Sequence, residues 1–486
     1  MAQRAMADQP AASADRLVPL AVDLDGTLLR TDLLWESLAA LVKRNPLSLL
    51  LFPLWLVRGR AGLKRQAAAR APLDVSALPY HGEFLAFLRE ERERGRPLIL
   101  TTGADAALAE RIAGHLGIFS EVIASDGRHN VRGRRKAEIL RSRFGEGGFD
   151  YAGNGRADLS VWPQARAAVL VNASAGLARQ VRRVSMVARV FEDRRNRMRT
   201  LLRALRPLHW VKNLLVFVPV VTAHHLTDVG TLLDAGLAFA AFSLAASSVY
   251  VLNDLADLEH DRHHPTKGTR PFASGHLSIP TGLAMVLALW GAAGLTSAGL
   301  PLDFRLVLVG YLLANLVYSL SAKNVALVDV ILLALLYGSR VLAGGVATSI
   351  AISPWLVAFS GFVFLSLALV KRVSELRGLR LNGGVAVPGR GYLAGDLEQL
   401  ASLGSASGYV AVLVFALYIN SDEVRLLYAS PGMLWAATPL LLYWISRVWL
   451  LAHRGRIPED PIVWVVKDPV SYLIGLAVAA ILVLAA

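Results

Sequence analysis

From about residue 208 onward the chain is a succession of long apolar runs broken by short polar stretches. Residues 1 to about 206 instead mix apolar and charged positions. A helix needs about 20 apolar residues to cross the hydrocarbon core of a bilayer. Nine segments qualify, near 209–226, 231–252, 279–298, 304–320, 325–347, 353–372, 403–420, 431–451 and 468–486, or eight if the first lies partly in the interface. The expectation for 207–486 is an all-α, multi-pass membrane domain of about nine spanning helices. The N-terminal part reads as α/β. Leu17–Ala21, Pro97–Leu100 and Phe149–Ala152 have the apolar character of buried strands, and each runs into polar residues at its C-terminal end. Open α/β sheets place their sites there.

This division predicts a tail over 1–16, an α/β domain over 17–178 with a helical cap at about 30–80, a basic linker over 179–206, and the membrane domain. The tail has no apolar segment, so it reads as disordered and not as a signal peptide. The linker holds ten arginines, among them Arg182, Arg183, Arg194, Arg195, Arg197 and Arg199. It suits a juxtamembrane helix on anionic lipid or a direct role toward substrate. Within the cap, Leu47–Val57 is apolar but too short to span. It fits either a buried cap helix or a segment dipping into the membrane face.

Charge adds orientation. Loops after the second, fourth, sixth and eighth helices hold Arg262, Lys267, Arg270, Lys323, Lys371, Arg372, Arg377, Arg380, Arg390, Arg454, Arg456 and Lys467, against Arg305 and Arg425 on the other side. Basic loops stay in the cytoplasm. The α/β domain and all the motifs below are expected there, at the inner membrane of the cell, with the C-terminus outside. The net charge of +14 then marks these loops and anionic headgroups, not nucleic acid. The chain has no cysteine, which excludes disulfides, thiolate metal sites and cysteine nucleophiles.

The α/β part carries Asp23-Leu24-Asp25-Gly26-Thr27 after its first strand, Thr101-Thr102-Gly103 after another, Lys136 opening a helical stretch, and Gly153-Asn154-Gly155-Arg156-Ala157-Asp158 after a third strand. Over residues 17 to 175 these stations resemble the haloacid dehalogenase (HAD) phosphatases, a Rossmann-like sheet with a helical cap. The resemblance implies Asp23 as phosphate-accepting nucleophile and Asp25 as acid/base. It implies Thr102 (or Thr101) on phosphate, Lys136 as its counter-charge, and Asp158 with Asp23 and Asp25 on Mg²⁺. Carboxylates serve as nucleophiles and proton donors, and Mg²⁺ takes hard oxygen ligands. Asn154 stands where the family usually has an acidic residue.

The second apolar helix ends in Asn253-Asp254, with Asp257 and Asp261 following. Three- and four-residue spacings share a helical face. Carboxylates packed so closely at a membrane boundary call for a cation, and Mg²⁺ bridging to a diphosphate answers that need. A solvated acidic helix end is the plainer alternative. Lys267 and Arg270 follow as phosphate partners. His260, His263 and His264 suggest zinc less well, because their neighbours are hard oxygens and cations.

The NDxxDxxxD pattern resembles the UbiA superfamily of intramembrane prenyltransferases over about 200–486. Arg206–Asn213 (RPLHWVKN) and Tyr318–Lys323 (YSLSAK) strengthen the likeness. The chain departs from the aromatic prenyltransferases after the sixth helix. There Lys371-Arg372-Val373-Ser374-Glu375 stands in place of a second aspartate cluster. This variant is similar to the decaprenyl-phosphate phosphoribosyltransferase branch, enzymes of envelope biosynthesis. The resemblance implies Asp254, Asp257 and Asp261 on Mg²⁺ and the leaving diphosphate, with Asn253 assisting. Lys267, Arg270, Lys323, Lys371 and Arg372 would share the substrate phosphates, Tyr318 and Glu375 would bind substrate beside them, and Lys212 would take the lipid phosphate. The expected activity is transfer of 5-phosphoribose from phosphoribosyl diphosphate to a polyprenyl phosphate, followed by dephosphorylation in the fused domain. Aromatic prenyl transfer from a prenyl diphosphate is the alternative enzyme, and a lipid-binding or transport protein is the non-enzyme alternative.

Overall fold

Six strands form the sheet of the N-terminal region: β1 (Leu20–Val22), β2 (Leu98–Asp105), β3 (Glu121–Ser125), β4 (Asp150–Gly153), β5 (Ala167–Val171) and β6 (Met186–Phe191). The computed structural model describes residues 17–57, 59–71, 73–126, 130–193, 196–381, 384, 390–457 and 460–486. The expected tail over 1–16 lies outside them, as do Arg194 and Arg195. The chain divides into two compact units. One comprises residues 1–201 together with Asp254–Leu283. The other comprises Leu202–Asn253 and Ala284–Ala486.

In the first unit all strands pair in parallel, in the order β3-β2-β1-β4-β5-β6. β1 and β5 are buried along their whole length, as expected of a parallel sheet covered on both faces. Leu20, Val22, Leu98 and Leu100 pack on one side, and Ala21, Ile99, Tyr151 and Ala168 on the other. The chain leaves β1 for β2 on one flank and returns to β4 on the other. That reversal opens a crevice at the carboxyl ends of β1 and β4.

Between β1 and β2 lies the helical cap: α1 (Leu33–Arg44), a 3-10 turn over Pro46–Leu51, α2 (Phe52–Val57) and α3 (Gly59–Arg70). Asp32 caps α1 by accepting from Leu34 N at 2.9 Å. Asn45 ends α1 and caps the next turn through Leu47 N at 3.0 Å. Pro46 follows, at a position where its missing N–H costs nothing.

The stretch 179–206 differs from a linker. Ala175–Val181 is a helix, Met186–Phe191 is the edge strand β6, and Arg197–Leu205 is a helix. Arginine hides the strand from a pattern reading. Arg189 lies over the rings of Phe87 and Phe191, 4.7 and 5.0 Å from their centroids, so its stem and charge serve an aromatic surface.

In the second unit the helices follow the expected apolar segments with two exceptions. Segment 209–226 is a 3-10 stretch, Pro207–Phe217, and a short helix, Val218–Thr222. Pro207 and Pro219 lack the N–H that a continuous helix needs. Pro469–Ala485 has only 17 residues. Among the described residues seven helices are long and apolar enough to span, or eight if the bent pair Arg197–Leu205 and Pro207–Thr222 is one span. That count agrees with the expected alternative of eight spans and falls one short of nine. Close packing relies on Gly404, where a Cβ would lie 2.2 Å from the Trp449 ring. Ser366 Oγ donates to Gly404 O at 2.7 Å and accepts from Trp449 Nε1 at 3.0 Å, which joins three helices.

Candidate functional site

Asp23 follows β1 directly, and its N–H donates to Ala152 O of β4 at 3.0 Å. Gly26 turns the loop with φ +77°, and a Cβ there would meet the Asn154 side chain at 2.1 Å. Only glycine suits both demands. Lys136 Nζ donates to Asp23 Oδ1 at 2.6 Å and to Tyr151 OH at 2.9 Å. Tyr151 OH donates to Asp158 Oδ1 at 2.6 Å. Asp158 Oδ2 accepts from the N–H groups of Asn154 and Gly155 at 3.2 and 3.0 Å.

Asp23, Lys136, Asn154, Gly155 and Asp158 line a cavity of about 520 Å³, with Asp25, Lys64, Arg132 and Arg156. Burial pushes the Asp25 carboxyl up to about 7, with Asp32 adding to the shift. That value suits a group that gives and takes a proton near neutrality. Burial also raises Asp23, and the Lys136 charge opposes the rise.

Asp23 and Asp25 offer the hard oxygens that Mg²⁺ takes. Asp158 lines the same cavity, but both its oxygens are engaged by Tyr151 and the loop. Thr102 is fully buried, and its hydroxyl accepts from Ala104 N at 3.0 Å. Its neighbour Gly103 lines the cavity, and Lys64 of α3 donates to Gly103 O at 2.7 Å.

The aspartate segment Asp254–Asp261 also lies in the first unit. Its helix ends at Ala256 and restarts as Leu258–His263, with Asp257 at the break. The expectation of one continuous acidic face is thereby corrected. Asp254 and Asp261 are both buried and meet at Arg270, whose NH1 lies 3.2 and 2.6 Å from their oxygens. Asp257 turns toward Lys43, 3.9 Å away. Among the described residues no three His, Asp or Glu side chains converge as a metal cage. The paired oxygens of Asp254 and Asp261 already hold a cationic group, and their hardness suits Mg²⁺. Lys267 stands in a 3-10 turn over Lys267–Thr269, half-buried.

In the second unit, Arg372 is 1% exposed and donates to three partners. Nε donates to Asp329, NH1 to Glu375, and NH2 to Tyr318 OH at 2.9 Å. Arg390 NH1 also donates to Tyr318 OH, at 2.8 Å, and lies 3.9 Å from Asp329. Tyr392 OH donates to Asp329 and accepts from Leu327 N at 2.8 Å. Leu327 has φ +64°. That hydrogen bond helps hold the uncommon backbone turn just before the helix that carries Asp329.

Arg372 thus orients Tyr318 and Glu375, with its nitrogens engaged by protein, and is not an open fork for phosphate. Asn253 accepts from Ser319 Oγ at 2.7 Å. Lys323 lies in the 3-10 turn Ala322–Asn324, and Lys371 precedes Arg372. Lys212 is buried and donates to Asp460, with His209 Nδ1 3.5 Å from the same carboxylate. Burial opposes charge on Asp460. The neighbouring His209 imidazole and the charges of Lys212 and Lys371 nonetheless hold its carboxyl well below the usual range.

Asp329, Arg390, Tyr392 and Asp460 were not expected in a site, and neither were Lys64 and Tyr151. Arg390 was legible only as a basic loop residue. The others carry no local pattern.

The family model described as UbiA prenyltransferase matches residues 214–464, and that of haloacid dehalogenase-like hydrolases matches 20–162. Uncharacterized protein y4nM of Sinorhizobium fredii is 37% identical over 97% of this chain and 92% of its own length. The nodulation protein NoeC of Azorhizobium caulinodans is 37% identical over 57% of this chain and 91% of its own. The decaprenyl-phosphate phosphoribosyltransferase of Mycolicibacterium smegmatis is 29% identical over 58% of this chain and 91% of its own.

Proposed function

The chain belongs to the UbiA prenyltransferase family, is an enzyme of that type with a HAD-like domain ahead of its membrane domain, and on that basis we propose that it transfers 5-phosphoribose from phosphoribosyl diphosphate to a polyprenyl phosphate at the cytoplasmic face of the inner membrane. The observation that carries this reading is the set of cationic and hydroxylic groups around Arg372. Where a second metal-binding aspartate set would serve a prenyl diphosphate, Lys371, Arg390 and Tyr318 stand instead, and Arg372, its own nitrogens taken up by Asp329, Glu375 and Tyr318, holds them in place. Such a group suits an anionic sugar phosphate. Relatedness to decaprenyl-phosphate phosphoribosyltransferases supports the same donor.

Bound Mg²⁺, held by Asp254 and Asp261, would supply charge neutralisation on the departing diphosphate. Arg270 and Lys267 take the remaining phosphate charge. The bond between ribose carbon 1 and the diphosphate oxygen breaks, and a bond from carbon 1 to a lipid phosphate oxygen forms. That oxygen is already anionic, so the step needs no general base. Lys212, which donates to Asp460, would orient the lipid phosphate.

In the HAD-like domain, Asp23 attacks the phosphorus of a phosphomonoester and Asp25 protonates the leaving oxygen. Water then releases phosphate while Asp25 recovers the proton. Lys136 balances the charge on Asp23. The fused domain would hydrolyse the 5-phosphate from the ribose of the lipid product, leaving ribose on the lipid.

The test supplies phosphoribosyl diphosphate and polyprenyl phosphate with Mg²⁺ and follows lipid product and free phosphate together. Both form in the wild type, and Asp23→Asn stops only phosphate release. Turnover with an aromatic acceptor and a prenyl diphosphate, without phosphoribosyl transfer, would overturn the donor assignment. Lipid product with no phosphate release, indifferent to Asp23→Asn, would end the two-step reading.

A further inference from the structure

The cap carries an apolar surface that the phosphatase chemistry does not use. Leu47, Leu50, Leu54 and Val57 are 69, 72, 63 and 88% exposed. Leu49, Leu51 and Leu56 are exposed as well, so the exposed apolar surface is wider than one helical face. The opposite face is anchored: Ser48 and Trp55 are buried, and Trp55 packs into the core with Phe52 against it. The outward leucines are therefore held outward by a fixed inner face. Large contiguous apolar surface on a protein marks a place where something else covers it.

Two further observations say what covers it. The first is position. α1, which leads into this segment, is tied to the polar end of a spanning helix. Glu36 takes a two-point ion pair from Arg262 at 2.7 and 3.1 Å. One residue past the last turn of that helix, Asp257 lies 3.9 Å from Lys43 near the C-terminal end of α1. Asn45 and Pro46 then start the apolar segment at once. The residues that α1 pairs with, Asp257 and Arg262, follow within a few positions of Ala256, the last residue of that candidate span.

The second observation is continuity with the cavity. Leu56 lines the cavity of Asp23 and Lys136, together with Trp35 and Leu63 of the cap. The same lining carries the cations Lys64, Arg132, Lys136 and Arg156 beside the aspartates Asp23, Asp25, Asp32 and Asp158. A cavity with apolar cap residues and these cations in one lining fits an amphiphile with a phosphate head.

We propose that Pro46–Val57 lies in the bilayer interface and that the cavity beside it takes a lipid-anchored phosphomonoester, which enters along this apolar wall. The proposal rests on the phosphatase reading of the HAD-like domain and adds the route by which its substrate enters. An amphipathic segment in the interface gains from each apolar side chain it buries there.

The experiment uses the full chain in nanodiscs and has two arms. The absence of native cysteine allows a single fluorophore on Leu50→Cys. Quenching by spin-labelled lipid, with shielding from aqueous iodide, is expected. Quenching by iodide alone overturns the insertion, and shielding from both quenchers overturns it in favour of a protein contact.

The second arm compares synthetic 5-phosphoribosyl polyprenyl phosphate in the bilayer with free ribose 5-phosphate. The double variant Leu50→Asp, Leu54→Asp should lose at least tenfold in kcat/KM on the lipid and stay within twofold on the free sugar phosphate. Equal loss on both, or loss on neither, overturns entry from the bilayer. Wild-type hydrolysis of neither substrate, with the fluorophore still quenched by lipid, removes the phosphatase reading and leaves the insertion standing.

Discussion

Three partners surround the Arg372 guanidinium, so replacement by lysine is informative even though charge is kept. A lysine ammonium cannot hold Asp329, Glu375 and Tyr318 in one plane. Arg372→Lys should lower transferase kcat/KM by about 100-fold, the scale of about 3 kcal/mol for breaking a buried charged network. Steady-state assays of phosphoribosyl transfer check this, and ribose 5-phosphate hydrolysis serves as the unaffected control. In the other unit, Tyr151→Phe removes the hydroxyl between Lys136 and Asp158. The change should cost about 1–3 kcal/mol of stability and reduce phosphate release while sparing transfer. Thermal unfolding and the two activity assays separate these effects. Asp23, Asp25 and Lys136 are legible in the sequence because they sit in short local patterns at strand and helix ends. Lys64 and Asp460 are not. Lys64 reaches Gly103 across 39 positions and Asp460 reaches Lys212 across 248, distances at which spacing holds no information.

At the scale of elements, hydrophobic period predicts the spanning helices well and their ends less well. Val229–Ala256 was expected as 231–252, and it stops where Asp257 leaves the helix. The first expected span fails on proline, whose effect on a helix outweighs apolar composition. β6 escapes a pattern reading because an edge strand with arginine has no buried alternation to show. Glycine contacts give a direct test of helix packing. Gly404→Ala drives a methyl into the Trp449 ring and should cost about 1–3 kcal/mol. Gly236→Ala, on Val229–Ala256, meets nothing within 4 Å and should be neutral or stabilise by up to about 1 kcal/mol. Unfolding temperatures in one detergent give the ranking, and equal shifts for the two variants would contradict it.

For the whole molecule, the first unit takes in Asp254–Leu283, a grouping no reading of domain order suggests. Glu36 and Arg262 are both buried in it. Glu36 also accepts from Thr31 at 2.7 Å, just beyond the Asp23–Thr27 turn. Glu36→Ala leaves a buried guanidinium without its carboxylate and should cost about 3–5 kcal/mol. Hydrogen exchange should rise over Asp254–Leu283 and stay unchanged over Leu302–Leu320. Unchanged exchange in both would show that the pair contributes little. The same grouping sets an order for synthesis. Residues 17–201 leave the ribosome before Arg262 exists, and translation runs at roughly 5–20 residues per second. Glu36 therefore waits seconds for its counter-ion, until the second spanning helix has been inserted and its polar turn has emerged. The amino-terminal unit cannot finish folding until the membrane insertion machinery has handled part of the chain that follows it.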